Sequence, residues 1–342
     1  MMETFWYCAV TLMLAVYAVL DGFDFGLGIV YPFVAKTDTE RRITLAAIGP
    51  VWNGNEVWLI AAGGLLFFAF PKAYAAGFSG FYLALIIVLW LLIARGLALE
   101  LRSHLNHTLW QQFWDVTFAG ASMLLALVFG AALGNLIRGM PLSQDGYFFV
   151  ALWTNFMTAP DPGILDWFTI LMGVTSVVSL AFHGANYLAM KTEGQLRGQA
   201  RRSAWLTGSV AAVLAGLALV AVPFVQPSFR VNYAAHPIGY LFPLVGLVAL
   251  IAALGLRRRD RDAGAFYATS LMILAMLAGA AWGSYPNILI ATNDPANSLT
   301  VTNATAGAYG MQVGLWWFLF GFCLIIVYQV CAHRAFWGKV QL

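Results

Sequence analysis

The chain has 342 residues, of which 61% are hydrophobic and only 10% are charged. A soluble globular domain has about 25% charged residues, so this composition excludes that class and indicates a polytopic membrane protein. The formal net charge of +3 is too small to suggest a nucleic-acid partner. The three cysteines fall in apolar stretches without CxxC spacing, which argues against disulfides and a zinc site.

A helix needs about 20 mainly apolar residues to span a membrane. The sequence predicts nine such spans, so the expected fold is an all-α polytopic membrane protein. The first span is interpreted as a retained helix, because no cationic segment precedes it and no small-residue cleavage pattern follows it. The predicted spans lie near 5–34, 44–70, 75–98, 115–137, 163–190, 204–225, 237–256, 264–285 and 308–334.

The basic residues predict how these spans are oriented. The loops after spans one, three, five and seven, together with the C-terminal tail, contain fourteen Lys and Arg residues, and the opposite side contains three. The positive-inside rule therefore places the N-terminus outside and the C-terminus in the cytoplasm, which requires an odd number of spans. The longer outer connections, about 138–162, 226–236 and 286–307, are expected to form ordered caps or loops.

Two polar segments interrupt the first two spans. The first, Asp21-Gly-Phe-Asp24-Phe-Gly-Leu-Gly28, places two carboxylates three residues apart on one helix face. The second is Trp52-Asn-Gly-Asn-Glu56-Val-Trp58. An acid in hydrocarbon costs roughly 2.5–3.5 kcal/mol, so these acids need a partner, a water-filled cavity or a function.

Six polar side chains are predicted to share the cytoplasmic half of three sequential helices. Such helices usually pack as neighbours, so we expect one cluster. Its members are Asp21, Asp24, Asn53, Glu56, Arg95 and Glu100. Two interpretations remain open: a structural clamp in which the arginine neutralises the acids, and a proton pathway. Both can hold together.

The histidines do not indicate a haem or metal site in this chain. Only His183 lies well inside a predicted span, so no second imidazole is available at the same depth for a bis-histidine haem. His183 is expected to be a hydrogen-bonded packing residue, although a His–Met or lone-His haem remains open. His104 and His107 are interpreted as a solvated interface feature. No Ser-His-Asp set, phosphate loop or H-E-x-x-H motif is present, so no catalytic constellation is predicted.

Several motifs together resemble one known family. They are Asp21 to Gly28 as above, Asp38-Thr-Glu-Arg-Arg42, Gly49-Pro-Val-Trp-Asn-Gly-Asn-Glu-Val-Trp-Leu59, Phe70-Pro71, Phe78-Ser-Gly-Phe-Tyr82 and Lys191-Thr-Glu-Gly194. In that order, the chain closely resembles subunit II of cytochrome bd-type quinol oxidases. The first hundred residues match most specifically, and the remainder agrees in span number and in the Lys191 loop.

The resemblance implies a role in a bacterial respiratory oxidase of the inner membrane, which oxidises quinol and reduces dioxygen to water. Subunit I would hold haems b and d and the quinol-oxidising loop. Subunit II would pack against it pseudo-symmetrically as a single membrane domain, 1–342, with bundles at about 1–137 and 163–334 and one peripheral helix. The complex would build membrane potential without pumping protons. Small single-helix subunits, lipid and a structural quinone between helices are further expected partners.

The resemblance also implies roles for individual residues. Asp24 and Arg95 fall on the family's buried acid and arginine, so a pair between them is expected, and Glu100 matches an acidic position. Trp58 lies where an oxygen route has been placed. The family often has an aspartate at the position of Asn53, and an amide cannot hold a proton in transit. The carboxylate of the second polar segment is therefore expected to replace it.

The residues alone leave two alternatives to an oxidase subunit. An ion-coupled secondary transporter would use the buried acids to bind a cation or substrate, but the buried carboxylates occur only in the N-terminal third, without the matching repeat that such carriers show. A purely structural membrane partner would use the same charges as packing clamps.

Overall fold

The computed structural model describes residues 1–159 and 161–340. Residue 160 of the predicted connection 138–162, and residues 341–342 of the predicted domain, lie outside the described part. The described residues form twelve α-helices, two 3-10 helices (Pro237–Tyr240 and Pro295–Asn297) and two short antiparallel strands, β1 (Asn287–Leu289) and β2 (Leu299–Thr300). The α-helices are α1 (Met2–Val34), α2 (Asp38–Ile48), α3 (Trp52–Ala69), α4 (Pro71–Gly80), α5 (Tyr82–Leu101), α6 (Thr108–Arg138), α7 (Trp167–Lys191), α8 (Gly194–Val225), α9 (Pro227–Ala235), α10 (Leu241–Arg258), α11 (Asp262–Ser284) and α12 (Ala308–Ala335).

The architecture confirms the all-α polytopic prediction. Eight helices of the described chain are long and apolar enough to cross a membrane. The 18-residue helix α3, whose first turn is polar, brings the number of helices with at least 18 residues to nine. The helices α2, α4 and α9 are shorter and connect the long ones at the two ends of the bundle.

Two predicted spans are divided in the structure, so their predicted bounds were wrong. The predicted span 44–70 consists of the end of α2 and all of α3, separated at Gly49-Pro50, because Pro50 has no backbone N–H to continue the helical hydrogen bonds. The predicted span 75–98 is divided between α4 and α5 at Phe81. Gly80 lies against the ring of Phe148, where a Cβ atom would lie 2.1 Å from the ring. This close contact packs the break against the connection after α6.

Helix α1 is the central element of the fold. It packs against α3, α6, α7 and α11, and its residues from Asp21 to Gly28 are all buried. Its closest approach is to α7, where a Cβ atom on Gly26 would lie 1.8 Å from the carbonyl oxygen of Leu180. A Cβ atom on Gly184 would likewise lie 2.2 Å from the backbone nitrogen of Leu27. Small residues at such a crossing allow two membrane helices to approach backbone to backbone.

The long helices are connected by one continuous set of contacts. In the N-terminal half of the chain α1 packs on α3 and α6, and α5 packs on α6. In the C-terminal half α7 packs on α8 and α11, and α10 packs on α11. Both α1 and α6 also pack on α7, so one hydrophobic core extends through both halves. Helix α12 packs mainly against α3, and Met311 is its one buried residue in the described chain. The division into two bundles within a single domain stays a prediction.

The two ends of the bundle differ in composition. The basic end contains the loops after α1, α5, α7 and α10, and the C-terminal tail. The opposite end, formed by the connections after α6 and α11, contains the two strands, and Met140 pairs there with Ala291. The Lys339 ammonium donates to the carbonyl of Thr192 at 2.8 Å, while burial and then the like charge of Arg197 lower the pKa of Lys339. The tail thereby caps the C-terminus of α7.

Candidate functional site

A fully buried ion pair joins α1 to α5. The Arg95 guanidinium donates to both carboxylate oxygens of Asp21, at 2.6 Å and 3.1 Å. Both side chains are inaccessible to solvent. Glu56 of α3 approaches the same guanidinium at 3.7 Å and is 21% exposed, and the guanidinium carbon lies 4.5 Å from the centre of the Phe25 ring. A bidentate arrangement satisfies the buried carboxylate in charge and in hydrogen bonding.

Asp24 is buried nearby, but it has different partners. One carboxylate oxygen accepts a hydrogen bond from the Asn55 amide at 2.9 Å, and that amide also donates to the carbonyl of Leu20 at 3.2 Å. The Asn55 carbonyl oxygen accepts from the Gln329 amide of α12 at 2.9 Å. The other oxygen of Asp24 has no hydrogen-bond partner within residues 1–159 and 161–340. Asp24 therefore has a single amide donor, in place of a cation.

Three expectations about this cluster are corrected by the structure. Arg95 pairs with the acid one turn before Asp24, because the two acids on α1 point about 60° apart and face different neighbours. Asn53 is exposed and Asn55 takes the buried position, because two residues along a helix correspond to about 200° of rotation. Glu100 is exposed as well, since it lies five residues and about 140° around α5 from Arg95.

Trp58 lies at the contact between α3 and α12. Its side chain is buried, and its ring meets the ring of Phe322 edge-on at a centroid distance of 6.3 Å. The indole nitrogen has no partner among the described residues. Tyr328 of α12 covers Gly54 of α3 a little nearer to the basic end. We call this contact, formed by Gly54, Asn55 and Trp58 of α3 with the facing residues of α12, the α3–α12 interface.

His183 is a buried packing residue with both ring nitrogens engaged. One nitrogen lies 2.7 Å from the Thr269 hydroxyl, and the other lies 3.0 Å from the carbonyl oxygen of Val19. The ring stacks on Phe266 at 4.9 Å. Both nitrogens face protein atoms, so a metal could bind to the ring only after one of these two contacts had been broken. His183 joins α1, α7 and α11 at the centre of the core.

The remaining histidines lie near the ends of the bundle. His104, His107 and His236 are exposed. His333 is partly buried near the end of α12, with one ring nitrogen 3.0 Å from the carbonyl oxygen of Gln329. Within the described residues no group of three or more His, Cys, Asp or Glu side chains could hold a metal ion.

A second charged cluster at the basic end was missed by sequence reasoning. Asp115 of α6 accepts from Arg41 at 2.7 Å and from Arg102 at 2.6 Å, and it also accepts from the hydroxyl of Tyr31. Arg102 reaches Asp38 at 3.0 Å as well. The sequence analysis includes Arg41 and Arg102 only as loop charges and does not predict their contact with Asp115. The short connection between α5 and α6 was the available signal, because it places Arg102 beside the first turns of α6.

A third ionic contact lies at the opposite end of the bundle. Arg138, the last residue of α6, pairs with Asp166, which is also the N-cap of α7. Arg138 further donates to the Asn135 side chain at 2.8 Å and to the carbonyl of Gly163 at 2.9 Å. This contact fastens the loop between α6 and α7 to both helices.

The sequence model of the family described as cytochrome bd terminal oxidase subunit II matches residues 2–336. The chain belongs to this family. It is similar to the cytochrome bd-I ubiquinol oxidase subunit 2 of Escherichia coli strain K12, at 33% identity over 98% of this chain and 94% of the relative. It is also similar to the cytochrome bd ubiquinol oxidase subunit 2 of Bacillus subtilis, at 32% identity over 90% and 88% of the two chains.

The fold of this subunit II matches a solved structure as well. A chain of the bd oxidase from Geobacillus thermodenitrificans superimposes with a TM-score of 0.78 over 98% of both chains, at 18% sequence identity. This likeness supports the fold. As subunit II of a bd oxidase, the chain is one part of an oxidoreductase complex that implies a subunit I partner and haem cofactors. Both ring nitrogens of His183, the most deeply buried histidine of the described chain, face protein hydrogen-bond partners.

Proposed function

We propose that this subunit II supports a haem-bearing subunit I in a complex that oxidises quinol and reduces dioxygen to water. Both relatives described above are named ubiquinol oxidases, which supports quinol as the substrate. Haems b and d of subunit I would supply the electron transfer and the oxygen chemistry. The complex would sit in the bacterial cytoplasmic membrane and build membrane potential without pumping, by consuming cytoplasmic protons and releasing quinol protons outside.

Within this complex, we propose that the cluster around Asp21, Asp24 and Arg95 provides both a structural clamp and a proton route. The observation that supports this division is the contrast between the two acids of α1. Asp21 is neutralised by Arg95, so it is suited to fix packing between α1 and α5. Asp24 is equally buried but lacks a cation, and an unpaired carboxylate in such surroundings favours its protonated form. Asp24 can therefore take up and release a proton.

The proposed routes use further residues besides Asp24. Glu56, with 21% of its side chain exposed, links the clamp to the surface of α3. The exposed positions of Asn53 and Glu100 remove them from the centre of the route and leave them roles only at its margin. Trp58, buried at the α3–α12 interface, is proposed to line an oxygen route from the membrane face. A structural quinone between helices and small single-helix subunits remain proposals without assigned contacts.

The first experiment is an optical spectrum with oxygen uptake, measured on the complex purified through this chain. Haem b and d bands with quinol-driven uptake are expected. A haem-free single chain with ion or solute flux would contradict the proposal and favour the transporter alternative.

The same preparation distinguishes a structural clamp at Arg95 from a proton route through Asp24. Asp24→Asn is expected to assemble with normal haem bands and to turn over slowly, because an amide cannot carry a proton in transit. Arg95→Ala is expected to lose assembly. Asp145→Asn serves as the matched control, because it makes the same exchange at an exposed position in the loop after α6. Turnover at the parent rate in Asp24→Asn would overturn the proton route.

A further inference from the structure

A continuous series of hydrogen bonds leads from Asp24 to the basic end of α12. Asp24 accepts from Asn55, and Asn55 in turn accepts from Gln329, each at 2.9 Å. The backbone carbonyl of Gln329 lies 3.0 Å from a ring nitrogen of His333, one turn further along α12. His333 lies two residues before the end of α12 at Ala335. The series therefore connects the most buried unpaired acid with the end of the bundle.

Three buried acceptor atoms along this series lack a donor in the described part of the chain. They are the second carboxylate oxygen of Asp24, the side-chain oxygen of Gln329 and Nε2 of His333. Buried polar atoms are nearly always hydrogen-bonded, and bound water is the usual partner where the protein offers none. The three atoms occur on one connected series that crosses from α1 through α3 to α12. Water molecules are therefore expected along it.

The tautomer of His333 follows from its contacts. Its Nδ1 faces a carbonyl oxygen, which has lone pairs and no hydrogen, so Nδ1 must be the N–H of the neutral ring. Nε2 then has the free lone pair, and it is the nitrogen without a partner among the described residues. The ring can therefore accept a proton at Nε2 while it keeps its contact with α12.

We propose that the α3–α12 interface is the proton inlet of this subunit, with His333 as its proton-accepting group and Gln329 and Asn55 as positioning residues. This inference rests on the proposed proton route through Asp24. Nε2 of His333 accepts a proton from water at the basic end and passes it to a water in the interface. That water passes a proton to the free oxygen of an Asp24 carboxylate whose own proton has moved inward. Each step moves one proton, and His333 returns to its neutral form.

The two amides act through water and do not transfer the proton themselves. An amide side chain neither gains nor loses a proton at neutral pH, but its N–H and C=O groups orient neighbouring water. Asn55 and Gln329 use their amide donors on each other and on Asp24, which leaves the Gln329 oxygen facing the predicted water. Glu56, the partly exposed acid of α3, contacts the Arg95 guanidinium and makes no hydrogen bond to Asp24 within the described residues.

The test uses the assembled oxidase with the variants Gln329→Leu and His333→Ala, alongside Asp24→Asn. The matched control is His107→Ala, an exposed histidine at the basic end. Haem bands report assembly, and quinol-driven oxygen uptake in H2O and D2O reports turnover and its solvent isotope effect. His333→Ala is expected to keep its haem bands and to lose turnover by roughly 10- to 100-fold, at or below the low end of what a positioned proton-transfer group contributes. Added imidazole is expected to restore part of that turnover and to leave His107→Ala unchanged.

The outcomes separate this inference from the proposed function. If His333→Ala and Gln329→Leu turn over at the parent rate while Asp24→Asn is slow, the inlet lies elsewhere and the inference is overturned, whereas the proton route stands. If Asp24→Asn also turns over at the parent rate, the route fails too. A slow His333→Ala variant that imidazole does not restore would show a structural role and would equally overturn the inlet. A larger isotope effect in the slow variants, with rescue, supports it.

Discussion

Asp21 and Asp24 show how strongly surroundings decide the chemistry of one residue type. Both are buried carboxylates on α1, separated by three residues. One is held by two charge-assisted hydrogen bonds from a guanidinium, and the other by one amide. A paired buried charge is expensive to disrupt, whereas an unpaired carboxyl can exchange its proton with water. Within a single helical turn, Asp21 therefore makes a fixed ionic contact, whereas Asp24 keeps the chemistry that the proposed proton route requires.

The partner of Arg95 can be tested by a double substitution. Arg95→Ala strands Asp21 in the core, and removing one member of a buried pair costs roughly 3–5 kcal/mol of unfolding free energy. We expect the single variant to lose the assembled complex and Asp21→Asn with Arg95→Ala to recover part of it, measured as haem absorbance per purified subunit. Asp24→Asn with Arg95→Ala is the control and should recover nothing. Recovery by the control instead would show that Arg95 neutralises Asp24.

The sequence predicted the burial of polar residues better than it predicted their ionic and hydrogen-bond partners. The positions of Asp21, Asp24 and Arg95 follow from apolar spans that contain few charges. The choice between Asn53 and Asn55 depends on the rotation of α3, and two asparagines so close together give no periodicity from which to read it. Gln329 lies on a helix with little buried surface, so its contact with Asn55 could be seen only in the fold.

At the scale of elements, glycines control how closely α1 and α7 approach. The absent Cβ atoms of Gly26 and Gly184 leave room for backbone-to-backbone contact at the centre of the core. This crossing holds the Asp21 to Gly28 segment in place beside His183, which bonds back to the carbonyl of Val19. That α7 is the partner of α1 at this crossing could be seen only in the fold.

We expect Gly184→Ala to destabilise the subunit strongly. Its Cβ atom would lie 2.2 Å from the backbone of α1, so the helices must separate, and overpacking of this kind costs about 1–3 kcal/mol or more. The midpoint of thermal haem-band loss measures the effect. Gly216→Ala on α8 is the matched control, because a Cβ atom there meets nothing within 4 Å. Equal midpoints for both variants would contradict the close crossing.

The Asp115 cluster connects four helices at the basic end. It joins α1, α2 and the C-terminal end of α5 to α6, through Tyr31, Arg41 and Arg102. Asp115→Asn would leave the 2%-exposed Arg102 with only the surface-exposed Asp38. We expect a loss of about 3–5 kcal/mol in the free energy of unfolding, because a buried cation loses its main partner.

Thermal unfolding of the purified complex checks this expectation. Asp145→Asn is the control, since Asp145 is exposed in the loop after α6 and its surface position should change stability by less than about 0.5 kcal/mol. A change in Asp115→Asn as small as that of the control would mean that water screens the charges of this cluster in the assembled complex.

For the whole molecule, hydropathy predicted the class of fold and nearly all of its long helices. The division of the second and third predicted spans was missed, because their apolar stretches run across the breaks at Gly49-Pro50 and Phe81. The peripheral place of α12 also follows from contacts and not from its composition, which is as apolar as that of the buried helices. Its exposed surface leaves the α3–α12 interface at the margin of the subunit, and the proposed inlet would open at the basic end of α12.

The orientation of the molecule is the prediction on which both proton proposals depend. The basic end should face the cytoplasm, because short loops rich in Lys and Arg remain on that side. In a background with Cys8, Cys323 and Cys331 replaced, Asp145→Cys and Ser103→Cys place single thiols on exposed loops at the opposite and basic ends. A membrane-impermeant maleimide should label Asp145→Cys in intact spheroplasts and Ser103→Cys only after permeabilisation. Labelling in detergent-denatured protein confirms that both thiols react. The reverse pattern would place His333 outside and would exclude the α3–α12 interface as an inlet for cytoplasmic protons.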